Sequence, residues 1–345
     1  MNLFLSKIRQ VLLISVLSLS VLSCGVESII AAGISGTGIV VGAITGFGSI
    51  IVNGVKYDID EASFDVDGTS FNGQEGQSNL EIGMVVQLNA TTYDDGTGVA
   101  TSVVYDDAVE GPITDIPTLS DDDNNLKNFS VLGLNVTINA LTTRFKNEDN
   151  TVFGFENITQ GDVVEVSGYV DLITSSIVAT HVEKKGTLSD GTNEVELHGV
   201  IEDLEETFFI MNGFTIDITQ IGPNDLEDID VLIDGLFVEV EGEYQSDGTI
   251  IATEIEGEDD ERDEIENSDG HLSLEGVITS FTSTTYFSIN GIPVFLDSGV
   301  ASSEVLEQLK VGVQVEVEGI MENGVLQVDE IELEGEEEPD RKSVV

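Results

Sequence analysis

The sequence predicts an all-β protein built from four tandem small barrels, each of five strands in an OB-like, Greek-key arrangement. Three observations carry that prediction. Val, Ile and Leu alternate with polar residues along most of the chain, the period of a strand with one buried face. Asn-Gly and Asp-Gly dipeptides punctuate the alternation, as tight hairpin turns require. The same succession of short anchors recurs four times, with a period of about 75 to 80 residues.

The first residues stand outside this pattern. Lys7 and Arg9 make a basic start, the run VLLISVLSLSVL (11–22) is largely apolar, and Ser23, Cys24 and Gly25 follow. This is the three-part plan of a secretory signal. The run falls short of the roughly 20 apolar residues that a membrane-spanning helix needs. Val21-Leu22-Ser23-Cys24 resembles the lipobox of bacterial lipoproteins, although Leu is commoner than Val at the position of Val21. The resemblance implies a lipoprotein signal peptide over 1–23, lipid attachment at Cys24 and a flexible tether over 24–36. The competing reading, cleavage near Ala31-Ala32, leaves the only cysteine of the chain without a role. Several acyl chains, palmitate among them, on one cysteine exceed the single chain that binds a membrane only marginally.

Each unit opens on a Gly followed by Ile or Val: Gly42-Ala43-Ile44, Gly111-Pro112-Ile113, Gly199-Val200-Ile201 and Gly276-Val277-Ile278. A hairpin follows, written SIIVNGVKYDI (49–59), FSVLGLNVTI (129–138), FIMNGFTIDI (209–218) and FSINGIPVFL (287–296). Three of these turn on Asn53-Gly54, Asn212-Gly213 and Asn290-Gly291, the dipeptide that best accepts positive φ angles. Phe129, Phe209 and Phe287 recur at one hairpin position and read as core. A second Gly starts the fourth strand, in GMVVQLNA (83–90), GDVVEVSG (161–168), GLFVEVEG (235–242) and GVQVEVEG (312–319). A fifth strand closes each unit, as ATSVVY (100–105), ATHVEK (179–184), ATEIEG (252–257) and VDEIEL (328–333). In the last copy Ser302–Lys310 reads as a short helix capped by Ser302, so each unit is expected to carry a helix between strands three and four.

These anchors, with the stretch GIVVGAITGFGSIIVNGVKYDI (38–59), resemble the bacterial domain-of-unknown-function family numbered 5666. The resemblance implies repeated β-barrels in secreted proteins and lipoproteins, and brings no activity or site residues. The expected division is units at 37–108, 109–185, 196–257 and 273–335, with linkers at 186–195 and 258–272 and a tail at 336–345. The second linker and the tail are dense in acids, too charged to bury.

Without the signal the chain carries 10 basic against 66 acidic residues, a formal charge of −56. Such a field repels nucleic acid, whose binding is led by Lys and Arg on phosphates. Strand alternation places most of the acids on the solvent side. His181, His198 and His271 are singletons without metal-ligand spacing, and His181 reads as a surface-facing strand residue. Carboxylate pairs arise by chance at this density, so they are weak grounds for glycosidase chemistry. Asp121-Asp122-Asp123-Asn124-Asn125 and the acids of 258–269 could attract Ca²⁺ weakly but lack the spacing of a calcium loop. Asp94-Asp95-Gly96 and Asp247-Gly248 read as turns.

No catalytic residues, cofactor or resident metal are expected. The expectation is a non-enzymatic, membrane-anchored binding or scaffolding module of the cell envelope, placed at the outer membrane and facing periplasm or cell surface, with a protein or glycan partner. The alternatives are a calcium-dependent adhesin and a carboxylate-based glycan hydrolase.

Overall fold

The computed structural model describes residues 36–121, 123–147, 151–171, 174–229, 231–257, 265 and 271–333. Residues 1–35, with the expected signal peptide and Cys24, most of the acidic linker and the tail lie outside the described residues.

Unit 1 contains β1 (Gly36–Gly46), β2 (Ile50–Val52), β3 (Val55–Asp58), β4 (Ser63–Val66), β5 (Thr69–Asn72), α1 (Gln74–Gln77), β6 (Val85–Thr92) and β7 (Thr97–Tyr105). Unit 2 contains β8 (Val109–Pro112), β9 (Thr118–Leu119), β10 (Leu126–Val131), β11 (Leu134–Asn139), β12 (Arg144–Asn147), β13 (Asp162–Asp171) and β14 (Ser176–Thr187). Unit 3 contains β15 (Glu194–Val200), β16 (Phe208–Met211), β17 (Phe214–Asp217), β18 (Leu226–Glu227), β19 (Phe237–Tyr244) and β20 (Ile250–Gly257). Unit 4 contains β21 (His271–Ser283), β22 (Tyr286–Ile289), β23 (Ile292–Leu296), α2 (Ser303–Gln308), β24 (Gln314–Glu322) and β25 (Val325–Leu333).

All four units close in the same way. In unit 4, β21 pairs with β22 and β24, β22 with β23, β23 with β25 in parallel, and β25 with β24. Unit 1 repeats that ring with β1, β2, β3, β7 and β6, again through a parallel third-to-fifth strand pair. Units 2 and 3 complete theirs with single bridges, Ile113 to Val131 and Glu202 to Ile210. Closure leaves the main strands without open edges inside each unit, the arrangement of a small Greek-key barrel.

The recurring anchors have a common physical basis. The first Gly of each unit lies under the residue that opens the hairpin turn. A Cβ on Gly276 would sit 2.4 Å from Asn290 Nδ2, and one on Gly42 would sit 1.9 Å from Asn53 Oδ1. Asn53, Asn212 and Asn290 adopt φ of 49°, 50° and 49° and send their amides back to the first strand, to Val41 O (3.2 Å), His198 O (3.0 Å) and Glu275 O (3.4 Å). Unit 2 uses Leu132 at this place, also at positive φ and fully buried. Phe129, Phe209 and Phe287 are core residues, as expected.

The helix expected in every unit is found in units 1 and 4 only, among the described residues. In units 1, 2 and 3 the connection from the third strand lays an extra strand (β4, β12 or β18) parallel to the fifth, in unit 1 ahead of its helix. In unit 4, Ser302 Oγ accepts from Val305 N at 3.2 Å, the cap read from the sequence.

The units pair out of chain order. β1 runs parallel to β21 from Gly38–His271 to Val41–Leu274, which joins units 1 and 4 into one 12-stranded sheet. β8 pairs antiparallel with β15 at Glu110–Glu196 and Val109–Leu197, which joins units 2 and 3 into a 13-stranded sheet with a shared apolar core. Ile39 of unit 1 belongs to the core of unit 4.

Candidate site: a half-buried row of glutamates where three units meet

Along β8, β13, β15 and β19 the core takes Val109, Val164, Val166, Leu197, Val238 and Val240, so period two sends Glu110, Glu165, Glu196, Glu239 and Glu241 to the opposite face. Strand register then lines acids up. Glu183 faces Glu165, Glu165 faces Glu110, Glu110 faces Glu196, Glu196 faces Glu241, and Glu241 faces Glu254. Like charges directly opposite each other destabilise a sheet. This row crosses from unit 2 into unit 3 with no interruption.

The row is not a solvated face. Glu165 and Glu183 are buried, and the side chains of Glu110 and Glu196 are 16% and 17% exposed. Unit 1 supplies part of the cover. Tyr105 Oη donates to Glu165 at 2.8 Å, Val85 N donates to Ser167 Oγ at 2.9 Å, and Lys146 links Glu81 (3.1 Å) to Glu183 (3.2 Å). The expectation that strand acids lie mainly in solvent is corrected at these positions, because a neighbouring barrel lies over them.

Asp107, in the connection between units 1 and 2, sits at the centre. It is 4% exposed, its backbone N–H donates to Asp67 Oδ1 at 3.2 Å, and its own Oδ1 has no hydrogen-bond partner. A carboxylate oxygen of Asp107 lies within 4.8 Å of ligand atoms of Glu196 and His198, which are mutually within that distance. The same holds for Asp107 with Glu110 and Glu165, and for Glu196 with Glu239 and Glu241. Lys185 answers the second group, forming ion pairs with Glu165 and, at 3.4 Å, with Glu110.

Electrostatics follow the crowding. Burial, reinforced by Glu196 and Glu165, holds the Asp107 carboxyl well above the usual carboxylate range. Burial and then Glu239 push Glu196 up to about 9 against the opposing effect of His198. Asp67 rises to about 7 through burial, Glu165 and Asp106. Burial disfavours the Lys185 ammonium, but Glu165 and Glu110 outweigh it and hold its pKa above the ordinary lysine value.

The histidines fall differently from their sequence reading. His181 is buried rather than surface-facing: unit 1 covers β14 there, and His181 Nδ1 lies 3.0 Å from Ile82 O. His198 belongs to the acidic cluster, its Nε2 3.8 Å from Glu196 Oε1. His271, at the start of β21, is half-buried and packs against Gly36. Asp123 accepts from Asn125 N at 2.8 Å, and Asp95 and Asp247 accept from Thr97 N and Thr249 N, which are turn roles. Cys24 and the acids of 258–264 and 266–269 lie outside the described residues. The signal for the cluster was the Val-Glu-Val pattern of the fourth strands together with Glu-x-His at 196–198.

Beside Asp107 and His198 is a cavity of about 210 Å³ bordered by residues from all four units, among them Gln87, Tyr169, Phe237 and Asn290. Among the described residues no helix is long and apolar enough to cross a membrane.

No curated protein matches the chain. Among solved structures, the chain is similar to a multidomain protein with nucleic acid binding domains from Streptococcus pneumoniae TIGR4, at 11% identity over 64% of this chain and 71% of that one, TM-score 0.16. It is also similar to Drosophila Unr CSD456, at 14% identity over 67% and 98%, TM-score 0.15. At such scores neither likeness bears on function. A family model described as a domain of unknown function, DUF5666, matches at 37–104, 110–183, 198–256 and 275–332, one match to each barrel, and the chain belongs to that family.

Proposed function

We propose that this protein is a non-catalytic binding or scaffolding module of the cell envelope, anchored in the outer membrane through lipid on Cys24. The observation that carries the reading is the repetition itself. Four barrels of one strand order, fused side by side into two sheets, hold four related surfaces at fixed spacing. Repeated weak contacts at fixed spacing multiply affinity without a distinctive site. The partner is an envelope protein or glycan, and Ca²⁺ acts as a diffuse counterion to the acidic surface. The glycan-hydrolase alternative fits less well, because Glu110, Glu165, Glu183 and Glu196 are packed between units and leave little carboxylate face for a sugar chain.

The test is made in cells on the full chain. Photo-crosslinkers at exposed positions such as Tyr93, Leu141 and Tyr286 should trap the same envelope component from more than one unit, and Cys24→Ala should move the protein from the membrane to the soluble fraction. Retention of Cys24→Ala in the detergent phase overturns the anchor. Cleavage of a cell-wall or capsular glycan by the purified protein, lost in a Glu196→Gln, Glu241→Gln double variant, overturns the non-catalytic reading.

A further inference from the structure

The acidic row has unequal ends. Toward Glu183, Lys146 and Lys185 supply positive charge. Toward unit 3, Glu196 faces both Glu110 and Glu241, and among the described residues its ion-pair partner is the imidazole of His198, 3.8 Å away. Asp107 lies against this end with an unpartnered oxygen, although it is almost fully buried. A buried carboxylate without compensation is among the costliest groups in a fold. The compensation that suits this place is a cation.

We propose that Asp107, Glu196 and His198 bind one divalent transition-metal ion of the zinc class. The ion ties the connection between units 1 and 2 to β15 of unit 3. The donor chemistry selects it: hard cations such as Ca²⁺ and Mg²⁺ take oxygen ligands, whereas an imidazole beside two carboxylates suits Zn²⁺ and its first-row neighbours. Bonds of about 2.0–2.2 Å place donors as much as roughly 4.4 Å apart. The three donor atoms already lie within 4.8 Å of one another, so small side-chain rotations close the set. The adjoining cavity of about 210 Å³ has room for water as a fourth ligand. The neighbouring group of Asp107, Glu110 and Glu165 is the poorer place, because the Lys185 ammonium already serves it. The assignment is independent of the proposed function.

The experiment is isothermal titration of Zn²⁺ into the chelator-stripped full-length protein, with thermal melts in parallel. One saturable equivalent and a raised Tm are expected, with Ca²⁺ and Mg²⁺ giving no saturable heat. Asp107→Asn, Glu196→Gln and His198→Gln should each weaken Zn²⁺ binding at least tenfold, and Glu304→Gln on α2 should leave it unchanged. The absence of a saturable equivalent in the unmodified protein overturns the proposal however the variants fold. So does an equivalent that survives unchanged in both Asp107→Asn and His198→Gln.

Discussion

At the scale of single residues, one side chain can hold two jobs that the sequence displays as one. Asn290 occupies the left-handed region at φ 49°, and its Oδ1 accepts from Val277 N at 2.9 Å while its amide donates to Glu275 O. Asn290→Gly keeps the turn conformation and deletes the tie to the first strand, so thermal denaturation should show a loss of about 1–3 kcal/mol. A Gly variant as stable as the parent would show that the asparagine serves the turn alone. The dipeptide was legible because turn chemistry is local. Its partnership with Gly276, 14 positions upstream, was not, because it exists only once the barrel closes. Glu196 makes a second case. Its carboxyl rises from 4.5 to about 9 on folding, so the folded chain holds the proton more tightly than the unfolded one. The resulting stability is complete below pH 4.5 and is lost as pH climbs through about 9. Glu196→Gln has no such proton to lose. Urea melts of the metal-free proteins should therefore show the variant gaining on the parent across that window, by at most about 1.4 kcal/mol per pH unit. A difference that stays constant with pH would rule out the buried-acid account.

At the scale of elements, the five strands of each unit follow from alternation and turn chemistry, and their order follows from the repeat. The third-to-fourth connection does not. Arg144–Asn147 and Leu226–Glu227 are too short to alternate and become strands only because the fifth strand offers a parallel edge. The acid row was hidden for a related reason. Glu at every second position of β13 or β19 reads as a solvated face, and only the register between strands from different units, with a third unit lying over them, makes it a buried cluster. A recurring irregularity was visible as a glycine without its cause. The fourth and fifth strands slip register at Ser167/Gly168, Glu241/Gly242 and Glu318/Gly319, and unit 1 slips at the same step with Ala90. At Gly319 a Cβ would stand 2.0 Å from Gln327 O. Gly319→Ala should force that bulge open and lower stability by about 1–3 kcal/mol in chemical denaturation. An unchanged midpoint would mean that the strand pair relaxes as unit 1 does around Ala90.

At the scale of the whole molecule, the chain order of the units and their spatial order differ, and that governs what a break in the chain does. Units 3 and 4 are neighbours in sequence, yet unit 4 is joined in its sheet to unit 1. β21 lies beside β1, Asn53 Nδ2 donates to Ser273 Oγ at 2.7 Å, and Ala43 N donates to Glu275 Oε2 at 3.2 Å. Removing 273–335 would therefore uncover a strand edge and Ile39, and would not leave three undisturbed barrels. Cutting is a different matter. A protease site inserted between residues 258 and 264 separates units 3 and 4 covalently but leaves the β1–β21 pairing and the shared core intact. The nicked protein should then elute from a sizing column as one species of unchanged volume, with the fragment carrying 271–333 released only in denaturant. Release under native conditions would show that the β1–β21 pairing does not hold unit 4 to unit 1 without the covalent link.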